Sequence, residues 1–226
     1  MAPWWLSEVS DTMWRPSYRT AGPLLGLSAL CLLIAAVPLA VWPEPQPGDS
    51  YVFAPPLFSA IWMQRIAQPF LTVSANVLVI VGLGALFKRD GTSLSNLRSV
   101  SGLVTVFGTS IILFGSLLVT TAGLDEIMSY VLGLLAQAIG LVLTLPGLVG
   151  WGAGYLRADN MRLGIALAGA PLLTCAYLGV SLLGVQFTPI ADLLLITPTS
   201  AMALVVGYDL WADSASSSAA HHQSKS

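Results

Sequence analysis

Asp192 is the ionisable side chain set deepest within an apolar run, in the stretch Thr188-Pro189-Ile190-Ala191-Asp192. Charge in hydrocarbon is costly, so a carboxylate at such depth marks a functional candidate by default. With Gln186 and Thr197 nearby, Asp192 could bind an ion or relay a proton. A structural role competes with that chemistry. One turn inside the outer end of a helix, a carboxylate offsets the partial positive charge of the N-terminus, worth ~0.3–1 kcal/mol. Asp209 falls near the other end of the same run and is expected at the membrane interface. Gln137 is an amide within a run, and such amides commonly bond one helix to another.

Other chemistries lack their residues. The two histidines, His221 and His222, lie beyond the last apolar run. Paired-His haem ligation and His-based zinc at membrane depth are therefore not expected. H-E-x-x-H, G-x-S-x-G and the phosphate-cradling glycine loops are missing. No lysine sits deep in a run, so a retinal Schiff base has no attachment point. Cys31 and Cys175 have no histidine to activate them and read as small apolar core residues without a disulfide. The expectation is a non-enzymatic protein with no catalytic residue, no cofactor and no metal.

The elements that would carry these side chains follow from composition. Of 226 residues, 55% are hydrophobic and 9% charged, against about 25% charged in an average soluble domain. So little charge cannot cover a water-facing surface. The formal net charge is −2, with no basic block for nucleic acid. Apolar runs cluster near the ~20 residues that cross a bilayer. Six are readable, at about 22–42, 68–87, 100–122, 129–152, 163–184 and 189–210. Backbone groups in lipid must be satisfied within the segment, so each is expected to be a helix. The fold class expected is all-α, a polytopic transmembrane bundle. The first run is too long for a signal core and is expected to be retained.

Residues 1–21 form an N-terminal segment in which Trp4, Trp5, Leu6, Val9, Met13 and Trp14 could make an interfacial helix. Residues 22–211 form the membrane domain. Residues 212–226, rich in Ser and Ala, are expected to be a flexible cytoplasmic tail. In the first connection, Leu57, Phe58, Ile61, Trp62, Arg65 and Ile66 have helical spacing and predict a short surface helix after Pro56.

Loop charge gives orientation. With a cytoplasmic N-terminus, the inside segments hold Arg15, Arg19, Lys88, Arg89, Arg98, Arg157, Arg162 and Lys225, which is eight of nine basic residues. That bias predicts an even number of spans with both termini inside. Phe87, Trp151, Tyr155, Tyr208 and Trp211 are expected to line the inner interface as an aromatic belt. Arg outnumbers Lys seven to two, which fits a GC-rich, prokaryotic source and a cell-membrane location.

Gly133, Gly140, Gly147 and Gly154 recur every seven residues along the fourth run. A straight helix drifts about 20° per heptad, so the four stay within a stripe about 60° wide. Small residues let helix backbones approach in lipid, and the stripe is expected to pack within the bundle. Pro146, Pro171 and Pro198 sit inside three consecutive runs and are expected to kink them. Thr144, Thr174, Thr197, Thr199 and Ser200 are expected to re-satisfy the freed backbone carbonyls.

Two functions fit this pattern. The first is a non-enzymatic accessory component that associates with another membrane protein, or with copies of itself, in the lipid bilayer. The alternative is a small transporter or channel for an uncharged or weakly polar solute, with Asp192 and the proline-bearing helices as its working parts.

Overall fold

The computed structural model describes residues 18–41, 53–54, 57–58, 66–90, 97–122, 127–183 and 189–223. Six helices account for nearly all of them: α1 Tyr18–Val41, α2 Gln68–Asp90, α3 Leu97–Thr121, α4 Ile127–Leu156, α5 Met161–Leu182 and α6 Pro189–Gln223. Among the described residues, α2, α3, α4 and α5 are each long and apolar enough to cross a membrane, and the apolar part of α1, Thr20–Ala36, is shorter. The protein is a membrane-embedded helical bundle. The end carrying Arg89, Arg98 and Arg157 is called the inner end below.

The helices pack in chain order. Each lies against the next, and α6 returns to α1, so the six close a ring. The tightest partnership is α3 with α4. Glycine makes it possible. A Cβ added at Gly140 would lie 2.7 Å from the Gly108 carbonyl oxygen, and one added at Gly133 would lie 2.9 Å from that of Gly115. Gly147 meets Thr105 and Ser101, and Gly154 meets Arg98. On α3 the partners Ser101, Gly108 and Gly115 step by seven, as do their α4 counterparts Gly147, Gly140 and Gly133. Antiparallel helices matched in this way keep their backbones in contact along the whole seam. Close approach favours Cα–H···O contacts, each worth about 0.5–1 kcal/mol. Gln137 Nε2 donates to Ser116 Oγ at 3.3 Å across the same seam.

The same device recurs twice. Gly22 of α1 faces the carbonyl of Gly207 on α6, and Gly152 of α4 faces that of Gly164 on α5. The α4–α5 turn is tight: Asp159 takes a positive φ of 59°, and the Asn160 side chain caps α5 by accepting from the Leu163 N–H. Aspartate tolerates that left-handed backbone better than most residues.

The apolar core sits in the inner half of the ring. Leu25, Leu83, Leu86, Trp151, Leu163, Leu167, Val206 and Leu210 are all essentially inaccessible. By contrast, the outer half of α4 exposes Ile127, Met128, Leu132, Leu135 and Ile139, leaving mainly its glycine face covered. In a bilayer those side chains meet lipid.

Four expectations need correction. The segment from 212 continues α6 to Gln223 rather than forming a flexible tail. After Gly207 it contains neither glycine nor proline, and its alanines favour helix. Residues 57–58 do not start a surface helix: Leu57–Phe58 (β2) pairs antiparallel with Phe53–Ala54 (β1), Phe53 opposite Phe58. Proline disfavours helix in the residue before it, which biases Ala54, directly before Pro55, toward extended backbone. Trp151 and Tyr155 lie at the inner end but face inward, 0% and 2% exposed, because their polar atoms have partners there. Cys175 is exposed rather than in the core; both cysteines are free.

Candidate functional site

The closed ring leaves a cavity of about 160 Å³ above the packed core. All six helices line it, through Leu32, Asn76, Thr109, Thr144, Thr174 and Thr199 in turn. At 1.5 Å rise per residue, Asn76 lies about 12 Å along α2 from its outer end and about 21 Å from its inner end. The cavity therefore sits near mid-depth. Its remaining walls are apolar, among them Val79, Leu83, Ile112, Leu145, Leu148 and Met202.

The polar groups differ in what they have left to offer. Thr109 donates to the Thr105 carbonyl at 2.8 Å, and Thr174 to that of Ala170 at 3.1 Å. Both keep an accepting oxygen but have committed their proton. Thr144 is turned toward the seam: a Cβ at Gly108 would lie 2.6 Å from its hydroxyl oxygen. That oxygen is buried without a hydrogen-bond partner, as are those of Ser28 and Ser200. Thr144 and Ser200 thus do not serve the carbonyls opposite the prolines, contrary to expectation. Asn76 has no side-chain hydrogen bond among the described residues. An amide carries two donors and one acceptor, and Asn76 is half-buried, so these groups remain open to a partner. Asn76 is thus the uncommitted amide in the cavity wall.

The inner end is closed by a charged cluster. Arg89 and Asp90 adjoin at the end of α2 but reach different neighbours. Arg89 Nη1 lies 2.7 Å from Asp209 Oδ2 and 2.6 Å from Asp213 Oδ2, both on α6. Its Nη2 donates to Tyr155 Oη on α4 at 3.0 Å. Asp90 accepts from Trp151 Nε1 at 2.7 Å and from Tyr155 Oη at 2.6 Å. Arg98 on α3 approaches Asp90 at 3.8 Å, and its guanidinium lies 4.7 Å from the Tyr155 ring centroid. Tyr155 is the hinge of the arrangement, accepting from Arg89 while donating to Asp90. The Asp90 side chain is 4% exposed, so its charge is held by these partners rather than by water. Together they tie α2, α3, α4 and α6 below the core.

The expected site residues fall in three places. Gly133, Gly140, Gly147 and Gly154 lie on the α3 seam. Pro146 is exposed, Pro171 is buried in the cavity wall, and Pro198 is partly covered, with helix continuing through all three. Thr197 lies on α6 one residue from the proline. Asp192 belongs to the first turn of α6, but its side chain lies outside the described residues, as does Gln186 altogether. Asp209, expected only at the interface, is an ion-pair partner of Arg89. Sequence reasoning passed over Asn76, whose signal was available: it is the one asparagine inside the six expected spans. It also missed that Trp151 and Tyr155, four apart, share one helix face with the Arg89-Asp90 pair opposite.

No residue with metal-ligand clustering occurs among the described residues. No protein-family model matches the chain, and no curated protein or solved structure matches it.

Proposed function

We propose that this protein is a small membrane transporter or channel for an uncharged, weakly polar solute, held at mid-depth in the central cavity and not chemically altered there. One observation carries the reading: a cavity walled by all six helices that presents the uncommitted amide of Asn76 in otherwise apolar surroundings. No ionisable side chain lines it among the described residues. Neutral solutes fit such a site, since an ion would forfeit its hydration without a counter-charge. The inner cluster and the packed core beneath the cavity would form the inner barrier. The excess of Arg over Lys favours a prokaryotic source, and the loop charges favour both termini in the cytoplasm.

The test is solute flux into proteoliposomes, followed by stopped-flow light scattering with glycerol, 1,2-propanediol and acetamide. Uptake faster than in protein-free vesicles is expected, and Ala170→Phe, which fills the cavity from α5, should abolish the difference. No acceleration with any of the three rejects the reading.

The accessory role is the second reading. It draws on the exposed α4 face, where Met128, Leu132, Leu135, Ile139 and Val142 alternate spacings of four and three. That is the spacing of a helix–helix seam. Native mass spectrometry of gently extracted protein tests it, through a second polypeptide in fixed ratio or a homo-oligomer.

A further inference from the structure

We infer that the cavity selects a neutral molecule of about six or seven heavy atoms with an apolar body and a single hydroxyl, bound by that group to Asn76. The inference rests on the cavity being the ligand site and adds the class of ligand it takes.

Size comes first. A cavity of about 160 Å³ is close to the ~150 Å³ of an engineered apolar cavity that accepts benzene. Larger solutes, such as sugars, exceed it. Polarity comes next. The free hydrogen-bonding capacity facing the cavity rests with Asn76 on α2 and Thr199 on α6, because Thr109 and Thr174 have given their protons to backbone carbonyls and the unpartnered Thr144 hydroxyl is buried toward the α3 seam. The other lining residues, among them Ile112 on α3 and Leu145 and Leu148 on α4, supply mostly carbon. A ligand therefore meets few polar groups in a largely apolar wall. A hydroxyl suits Asn76 because it donates to the amide carbonyl and accepts from the amide N–H. Water alone would satisfy Asn76 but not the apolar wall, since a stable buried water needs 2–4 polar partners.

The experiment compares phenol, benzene and cyclohexanol on the full chain in lipid nanodiscs. Saturation-transfer NMR reads binding, and empty nanodiscs correct for partition into lipid. Phenol is expected to bind saturably, to be displaced by cyclohexanol, and to bind about tenfold more tightly than benzene. Asn76→Leu keeps the volume and removes the amide. It should cut the preference for phenol over benzene to near unity while benzene still binds, which also reports that the cavity is intact. Equal binding of phenol and benzene by the wild type, or a preference that survives Asn76→Leu, overturns the inference. If glycerol or acetamide flux persists in that case, transport stands and only the ligand class fails. Hydroxyl-selective binding with no flux leaves the class standing and removes transport.

Discussion

Replacing Gly140 with alanine tests the α3–α4 seam at its centre. The added Cβ would sit 2.7 Å from the Gly108 carbonyl oxygen, 2.8 Å from the Ile112 nitrogen and 2.6 Å from Ile112 Cγ1. Two of these are backbone atoms, so no rotamer change relieves them. Reaching an ordinary contact requires α3 to retreat by about 0.7 Å, and overpacking of that kind costs typically 1–3 kcal/mol. The retreat also loosens the Gly115–Gly133 contact one turn-pair away, at about 0.5–1 kcal/mol per lost Cα–H···O contact. Alanine returns up to ~1 kcal/mol through its higher helix propensity. The net expectation is destabilisation by about 1–3 kcal/mol. Gly84 supplies the control, because a Cβ there would meet nothing within 4 Å. Gly84→Ala should be neutral or stabilise by up to ~1 kcal/mol. Both variants would be unfolded in mixed micelles of rising denaturing-detergent fraction, followed by tryptophan fluorescence. Equal midpoints for Gly140→Ala and Gly84→Ala would refute the close-packed seam.

Arg89→Gln should destabilise the bundle by roughly 1–3 kcal/mol, a charge-assisted pair discounted for the partial exposure of its partners. In a double-mutant cycle with Asp209→Asn, the effects should fall short of additive; strict additivity would mean the pair contributes nothing. Asp192→Asn should leave neutral-solute flux unchanged between pH 5 and 8, since no ionisable group lines the described cavity. Loss of a pH- or ion-dependent component of flux would instead make Asp192 a coupling residue.

The fold was legible because hydropathy and the glycine period both report on helix packing in a bilayer, which acts on every span alike. The first four helix boundaries were read within about four residues. Where the reading failed, the cause was local. The helix past residue 211 has ordinary composition, and its Ser-rich sequence resembles a solvated tail as much as a helix. The inner cluster was half visible. Arg89, Trp151, Tyr155 and Asp209 were all noted, but as loop charges and interfacial groups. Which of them meet depends on helix rotation, and hydropathy in an all-apolar run barely encodes rotation. Asn76 is inconspicuous for a different reason: in sequence, a lone amide looks the same whether or not it bonds a neighbouring helix. Its importance comes from lacking a partner, which only the packing reveals.

The ring order bears on how the protein is made. As helices leave the ribosome one by one, each new one finds a neighbour already in the membrane, so five of the six interfaces can form during synthesis. The sixth joins the first helix made to the last. Until α6 arrives, Gly22 and Leu25 have no cover on that side, and the cavity lacks the wall that Thr199 and Met202 provide. The Arg89 guanidinium likewise waits for Asp209 and Asp213, the last charges to be translated in the cluster. Enclosure is therefore a late, all-or-none event in biogenesis. A nascent chain stalled before α6 would hold most of its helix contacts and still have no binding chamber, leaving an open seam for quality-control machinery to detect.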